Sequence, residues 1–187
     1  VMNERRESYD GHELTFQVNH LSPFLLTNRL LPVLTANAPA RIVTVSSMVH
    51  TSGTMDFDDL EMRRGYRAYA AYGRSKLANI LFTFALARRL EGTGVTANAL
   101  HPGVISTKLL HKTFSGGAPV EDGTETPVYL ATSPEVEGIS GAYFAHRRQS
   151  DVKAEARDEE LQERLWEVSE DCVATYLSSE AGRSHRA

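Results

Sequence analysis

The stretch "RIVTVSS", residues 41–47, decides how the rest of the chain is interpreted. Its β-branched, apolar run is typical of a parallel strand that is buried on both faces. A second such run, "VTANALHPG" (residues 95–103), ends in Pro-Gly, and "SGAYFA" (residues 140–145) predicts a third strand. Helical patterns flank and separate the three runs. This alternation predicts an α/β protein with a parallel sheet.

Four segments carry the helical patterns, and the first and third contain prolines; Pro127 in the third is tolerated in a first helical turn. Pro23 lies inside the first, where it indicates either a kink or a helix that begins later than residue 10. The second has an apolar stripe at helical spacing, and the fourth is amphipathic. We expect one domain over residues 1–187, with helices at residues 10–34, 70–90, 120–132 and 155–177.

Composition and charge exclude several classes of function. The 187 residues are 41% hydrophobic and 24% charged, as in a globular domain, and the formal net charge is −4. We therefore expect no nucleic-acid partner, because no basic stripe is present. No apolar run approaches the ~20 residues of a membrane span. With one cysteine, Cys172, no internal disulfide can form, and the histidines show no metal-ligand spacing. We predict no metal site and, with no signal peptide visible, a cytoplasmic location.

Polar residues follow the predicted strands where parallel sheets bind ligands, outside the carboxyl ends. Ser47 ends the first strand, and Tyr72 and Lys76 share a face one turn apart near the start of the next helix. Each has a plainer interpretation when taken alone: Ser47 as a helix cap, Tyr72 as an edge of the core, and Lys76 as a solvated cation. Asn19, a poor helix former, could mark an exposed position or a local irregularity.

Taken together and in order, these residues resemble the short-chain dehydrogenase/reductase family. The resemblance rests on Asn19, Ser47, Tyr72-x-x-Ser75-Lys76 and Pro102-Gly103 with Thr107 four residues beyond. It covers essentially the whole chain and is closest to the retinol-dehydrogenase-like branch in "FQVNHLSPFLLTNRLLPVL", "AYGRSKLANILFTFALARRL" and "VTANALHPGVISTKL". It implies a Rossmann-like, doubly wound parallel sheet in three α/β/α layers.

The resemblance also implies a chemistry, the interconversion of an alcohol with an aldehyde or ketone by NAD or NADP. Reduction of a carbonyl needs a hydride at carbon and a proton at oxygen. A free tyrosine titrates near ~10, and a cation one turn away favours the phenolate and lowers that pKa. By resemblance, Tyr72 donates the proton, Ser47 holds the substrate oxygen, Lys76 also binds the nicotinamide ribose, and Asn19 supports a proton-relay water.

Further roles follow from the same resemblance. The backbone at Ile105 and the hydroxyl of Thr107 would meet the nicotinamide carboxamide, and Pro102 and Gly103 would form the wall behind the ring. Residues 108–119 should help to cover the substrate, and "LLHKTF" there is consistent with a lipophilic alcohol or carbonyl. Because members of the family often pair through the Tyr-bearing helix and its neighbour, the resemblance implies a dimer or tetramer.

The sequence departs from the family at one end. It contains no TGxxxGxG turn, which in the family places the pyrophosphate at a helix N-terminus, and no Asn-Asn-Ala-Gly stretch. We therefore expect the C-terminal part of the fold, without its first four strands, the adenosine half of the cofactor site or the residue that separates NAD from NADP. The strand at residues 41–45 would then be an exposed apolar edge.

Two other functions compete with the oxidoreductase. The first is a non-catalytic binding or scaffold protein that keeps the fold without the cofactor, which the missing glycine-rich turn favours. The second is another activity on the same scaffold, a dehydratase or an epimerase. Cofactor binding separates the first from the oxidoreductase but does not separate the second, because those enzymes usually need the nicotinamide as well.

Overall fold

The structure, a computed structural model, describes residues 2–106 and 116–178. Thr107 and most of the segment that we expect over the substrate lie outside the described residues. A four-stranded sheet has the order β1-β2-β3-β4. The first three strands are parallel, and β4 pairs antiparallel with β3. Their bounds are β1 Ala40–Val45, β2 Val95–His101, β3 Tyr143–Ala145 and β4 Arg148–Gln149. The three predicted strands are confirmed, and β4 was not predicted.

Within residues 2–106 and 116–178, four helices surround the sheet. Helix α1 is continuous and consists of Leu14–Phe16, a π-helical segment Gln17–Leu21, and Ser22–Ala36. The others are α2 Ala68–Arg89, α3 Glu125–Thr132 and α4 Glu159–Ser178. Short 3₁₀ segments are Met48–Ser52, Val120–Thr124, Pro134–Val136 and Ala154–Arg157. Each helix overlaps the segment predicted for it.

The start of α1 explains how a proline is accommodated. The Glu13 carboxylate caps the helix by accepting hydrogen bonds from the N–H groups of Thr15 and Phe16, at 2.8 and 2.7 Å. The helix therefore begins later than residue 10. Pro23 has no N–H to donate to the carbonyl of Asn19, four residues earlier. The π-helical segment lies just before this proline, where Ser22 donates instead to Gln17, five residues back.

Two apolar clusters lie on opposite faces of the sheet and produce the expected three layers. The larger one joins α1, α2 and α4 to the alanines of β2, and Phe24, Phe82 and Trp166 pack their rings together within it. The smaller one packs Leu130 of α3 against Leu100 and Phe144 of the sheet. Because both faces are covered, the fold is α/β and Rossmann-like. Cys172 packs against the larger cluster, as expected.

Strand β1 is an edge of this sheet. Its only partner strand in residues 2–106 and 116–178 is β2. The seven residues of β2 are buried or nearly so, whereas β1 is mostly half-buried and Val45 is 45% exposed. The exposed edge predicted for residues 41–45 is therefore confirmed for the described part of the chain.

Candidate active site

The carboxyl ends of β1 and β2 lie at the same edge of the sheet, because the two strands are parallel and in register from Ala40 to Val45. Ser47 follows β1 by two residues. It caps the 3₁₀ segment Met48–Ser52, since its Oγ accepts from the N–H of Val49 at 3.4 Å. The plainer interpretation of Ser47 as a cap thus holds, and the capping fixes the serine at the carboxyl edge of the sheet.

A close approach of two glycines sets the distance between this segment and α2. A Cβ added to Gly53 would lie only 2.7 Å from the carbonyl carbon of Gly73. A Cβ added to Gly73 would lie 3.1 Å from the Oγ of Ser52 and from the carbonyl oxygen of Val49. Glycine at both positions therefore lets the segment after Ser47 pack directly on the first turn of α2, next to Tyr72.

Tyr72 and Ser47 are brought together by this packing. Both side chains are half-buried, and the Ser47 hydroxyl lies near enough to affect the pKa of the Tyr72 phenol. Burial raises the pKa of Tyr72 above its ordinary value of 10.0, and the Ser47 hydroxyl opposes that rise. The sequence predicted a lowered pKa, so the structure shows the opposite direction for the phenol.

The position of Lys76 explains this difference. Its Nζ lies 5.6 Å from the centroid of the Tyr72 ring and donates a hydrogen bond to the carbonyl of Val45 at 3.1 Å. The ammonium is therefore bound to the end of β1 and not to the phenol oxygen. Burial lowers the pKa of Lys76 to about 8. The cation lies close enough to influence Tyr72, but in this arrangement burial has the larger effect on the pKa of the phenol.

Asn19 also reaches α2, through a different residue. From the π-helical segment of α1, its Nδ2 donates to the Oγ of Ser75 at 3.0 Å, and that hydroxyl donates to the carbonyl of Tyr72 at 2.8 Å. The four predicted catalytic residues thus converge on the first two turns of α2. The relay-water role of Asn19 stays a prediction.

The segment after β2 supplies the predicted nicotinamide residues. Gly103 has a φ of +101°, which favours glycine, and a Cβ there would lie 3.2 Å from the side chain of Ile105. A bridge holds this segment to Ala118 by bonds from Ser106 N–H to Ala118 and from Ala118 N–H to Val104, at 2.8 and 2.9 Å. These bonds do not use the backbone groups of Ile105.

These residues fit the nicotinamide half of a dinucleotide. Pro102 and Gly103 give a backbone surface without bulky side chains at the carboxyl end of β2, and Lys76 presents an ammonium at the end of β1. Donors for a pyrophosphate would come from a glycine-rich turn, and the 187 residues contain no TGxxxGxG. The chain's own residues thus match one half of the cofactor.

Two further residues contribute to this site: Ser46, which the sequence indicated only as a polar residue at the end of a strand, and Asn79, which did not emerge from the sequence. Ser46 donates from its Oγ to the backbone carbonyl of Lys76 at 2.7 Å, which ties the end of β1 to α2. Asn79 donates from its Nδ2 to the same Val45 carbonyl that binds Lys76, at 3.2 Å. An asparagine inside the apolar stripe of Leu77 and Ile80 was the available signal, since a buried amide needs partners.

Other kinds of site are absent from the described residues. Residues 2–106 and 116–178 hold no group of three or more His, Cys, Asp or Glu side chains that could bind a metal ion. Over the same ranges, every helix is too short or too polar to cross a membrane.

Comparison with known proteins identifies a family model and relatives that match this chain. The family model described as short chain dehydrogenase matches residues 3–117. Human retinol dehydrogenase 14 is 48% identical over 176 residues, which cover 86% of this chain and 52% of the relative. Human retinol dehydrogenase 13 is 46% identical over 177 residues, with 86% and 54% covered. The chain therefore spans about half the length of the curated relatives it matches.

Solved structures support the same assignment. An uncharacterized protein from Mycobacterium paratuberculosis superposes with a TM-score of 0.75 at 33% identity, over 93% of this chain and 64% of that one. The NADPH-bound carbonyl reductase from chicken fatty liver shares the fold, with a TM-score of 0.53 at 24% identity over 77% and 60% of the two chains. The chain belongs to the short-chain dehydrogenase family, within which it is retinol-dehydrogenase-like.

Proposed function

We propose that this protein is an NAD(P)-dependent oxidoreductase that interconverts an alcohol and an aldehyde or ketone. The observation that carries the proposal is the proximity of Ser47 and Tyr72 at the carboxyl edge of the sheet, with the Lys76 ammonium 5.6 Å from the centroid of the Tyr72 ring. A phenol that is half-buried, near a hydroxyl and close to a cation is a suitable acid–base group for a carbonyl oxygen.

In the reductive direction, Tyr72 gives its phenolic proton to the substrate oxygen. The hydroxyl of Ser47 donates a hydrogen bond to the same oxygen and holds it against the phenol. The positive charge of Lys76 stabilises the phenolate that remains, because opposite charges attract strongly in a half-buried site. A bound nicotinamide supplies the hydride. In the oxidative direction, the Tyr72 phenolate accepts the proton of the alcohol.

The substrate that we propose is a lipophilic primary alcohol of the retinol class and the corresponding aldehyde. The relatives that match at 46–48% identity are named retinol dehydrogenases, and this supports the choice. The apolar letters of "LLHKTF" support it as well. Both NAD and NADP stay open as cofactors, because the sequence contains no glycine-rich turn beside which to look for the residue that selects between them.

The scaffold alternative is favoured by one observation, the absence of a TGxxxGxG turn from these 187 residues. It predicts that the chain folds and binds no dinucleotide in any form. The catalytic set argues against it, because a scaffold has no use for a serine, a tyrosine and a half-buried ammonium gathered at one edge of the sheet.

Titration with cofactor, followed by an assay, tests the proposal. NADPH and NADH are added to the 187-residue chain, and to the chain extended by any coding sequence found upstream of Val1, while nicotinamide fluorescence is recorded. We expect saturable binding of at least one cofactor, and conversion of retinal to retinol by the binding form. A folded protein that binds cofactor but reduces neither retinal nor simpler aldehydes would contradict the oxidoreductase. A folded protein that binds neither cofactor in either form would favour the scaffold.

A further inference from the structure

Two side chains of α2 share one acceptor at the end of β1. The carbonyl of Val45 accepts a hydrogen bond from Lys76 Nζ at 3.1 Å and another from Asn79 Nδ2 at 3.2 Å. A carbonyl oxygen has two lone pairs, so both bonds form at once. Asn79 follows Lys76 by three residues, which places the two side chains on the same side of the helix.

Asn79 lies in a buried position next to a histidine. Asn79 is 3% exposed and His20 is fully buried in a cage that includes Phe16, Phe24 and Phe82. The Asn79 side chain opposes the lowering of the His20 pKa by burial. Within the described residues, Oδ1 of Asn79 and Nδ1 of His20 are both buried and have no hydrogen-bond partner.

The hydrogen bonds of Ser169 indicate the tautomer of His20. Nε2 of His20 lies 2.8 Å from the Oγ of Ser169, and that hydroxyl donates its one proton to the carbonyl of Leu165 at 2.7 Å. Nε2 therefore carries the proton and donates to the serine, which leaves Nδ1 as an acceptor. The Asn79 side chain is thus anchored through its Nδ2, on the carbonyl of Val45.

We propose that Asn79 is a positioning residue for Lys76. It keeps the Val45 carbonyl hydrogen-bonded whether or not the ammonium is bound there, so that Lys76 can leave the end of β1 and work beside Tyr72. This rests on the proposed function, in which Lys76 acts at the phenol. Without Asn79, departure of Lys76 would leave the Val45 carbonyl without either side-chain donor, and the ammonium would be held there more tightly.

Nuclear magnetic resonance of the 187-residue chain tests the shared acceptor without cofactor or turnover. Asn79 side-chain amide and Val45 carbonyl signals are followed from pH 6.5 to 9.5. Neighbouring titratable groups have pKa values outside this range: burial lowers the pKa values of His50 and His101 below 6.5 and that of His20 to about 4, and it raises the pKa of Tyr72 above 10.0. We expect both signals to shift with a midpoint near 8, the pKa of Lys76, and to stay constant in Lys76→Met.

The side-chain amide of Asn28, which donates to Phe24 in α1, provides a control that should not move. An Asn79 amide that ignores the titration of Lys76 would overturn the proposal.

A variant tests the consequence for Lys76. Asn79→Leu removes the competing donor and places an apolar side chain of similar size in the same buried position. The pKa of Lys76, measured by competitive labelling of amines, should rise by ~0.5 unit or more, because the charged form then has the carbonyl to itself. Thr83→Val is the matched control: Thr83 is buried on the same helix and donates to the carbonyl of Asn79, not to Val45.

An unchanged Lys76 pKa in folded Asn79→Leu would contradict the proposal, and the wild-type titration decides the matter if this variant does not fold. These readouts are independent of the proposed function. Loss of cofactor binding or turnover would refute the oxidoreductase and leave the shared acceptor standing.

Discussion

Tyr72 and Lys76 are both half-buried, and burial moves their pKa values in opposite directions. Removing water penalises the charged form of each group, which is the phenolate of Tyr72 and the ammonium of Lys76. The phenol therefore stays protonated at neutral pH and can donate. The ammonium, with a pKa of about 8, is still mostly charged there and can stabilise the phenolate that the donation leaves.

The buried side chain of His20 makes the stability of the fold depend on pH. Burial lowers its pKa from 6.5 to about 4. The unfolded chain therefore binds a proton at a higher pH than the folded chain does. Stability from the neutral histidine is fully present above pH 6.5 and is lost as the pH falls towards 4. Between pH 7.5 and 4.5 this group should cost the wild type about 2–3 kcal/mol of unfolding free energy.

Urea unfolding at the two pH values measures that loss. His20→Gln cannot titrate, so it should lose about 2–3 kcal/mol less than the wild type between pH 7.5 and 4.5, whatever its stability at pH 7.5. Thr35→Ala, at an exposed position of the same helix, should keep the wild-type acid dependence. If His20→Gln lost as much stability as the wild type, the buried neutral histidine would be the wrong explanation.

The close contact between the segment after Ser47 and α2 predicts the effect of replacing Gly53. Gly53→Ala places a methyl group against the carbonyl of Gly73, where neither backbone can yield easily. We expect a loss of about 1–3 kcal/mol of stability and a displacement of Ser47 from Tyr72. Thr51→Ala, in the same segment but exposed, should change stability by less than about 0.5 kcal/mol.

Thermal unfolding gives the stability of Gly53→Ala and Thr51→Ala. The fluorescence or the proton shift of Tyr72 reports its contact with Ser47. Wild-type stability in Gly53→Ala would mean that the close approach does not position the serine.

Periodicity in the sequence predicted the helices and the three parallel strands because burial of apolar side chains dominates those elements. It did not predict β4, a two-residue strand that lacks a periodic signal. It left open how α1 accommodates Pro23, and the structure shows a π-helical segment. The spacing of Tyr72 and Lys76 correctly gave a shared face, but the end of a flexible lysine is placed by its acceptor, here the Val45 carbonyl.

The same limit applies to the rest of the candidate site. Ser47, Tyr72, Lys76 and Asn19 were predicted because a resemblance placed them in one pattern. Asn79 needed the structure, since the acceptor of its amide, the Val45 carbonyl, lies on another element, β1. Long-range contacts of this kind leave no trace in local spacing.

The exposed edge of β1 has a consequence for the chain as a whole. Val45 on that edge is 45% exposed, and Leu26, Leu30 and Val33 form an exposed apolar face of α1 at 60%, 44% and 59%. An unpaired apolar edge together with such a face favours association with other chains. We expect the 187-residue chain to self-associate as its concentration rises.

Sedimentation velocity over a hundredfold range of concentration checks this expectation. The double variant Leu26→Lys, Val33→Lys should shift the distribution towards monomer, because it interrupts the apolar face with charge. Thr35→Lys, an exposed polar position of the same helix, should leave it unchanged. A monomer at every concentration in the wild type would show that neither the edge nor the face drives association.

The account depends most on Tyr72 as the proton donor. The direct test compares Tyr72→Phe with the wild type in the shortest form of the protein that reduces retinal, measuring turnover and the cofactor dissociation constant together. We predict a loss of about 10²–10⁴-fold in turnover, with cofactor affinity within about twofold, because only the phenolic hydroxyl is removed. Turnover within about tenfold of wild type would contradict the assignment and with it the proposed mechanism.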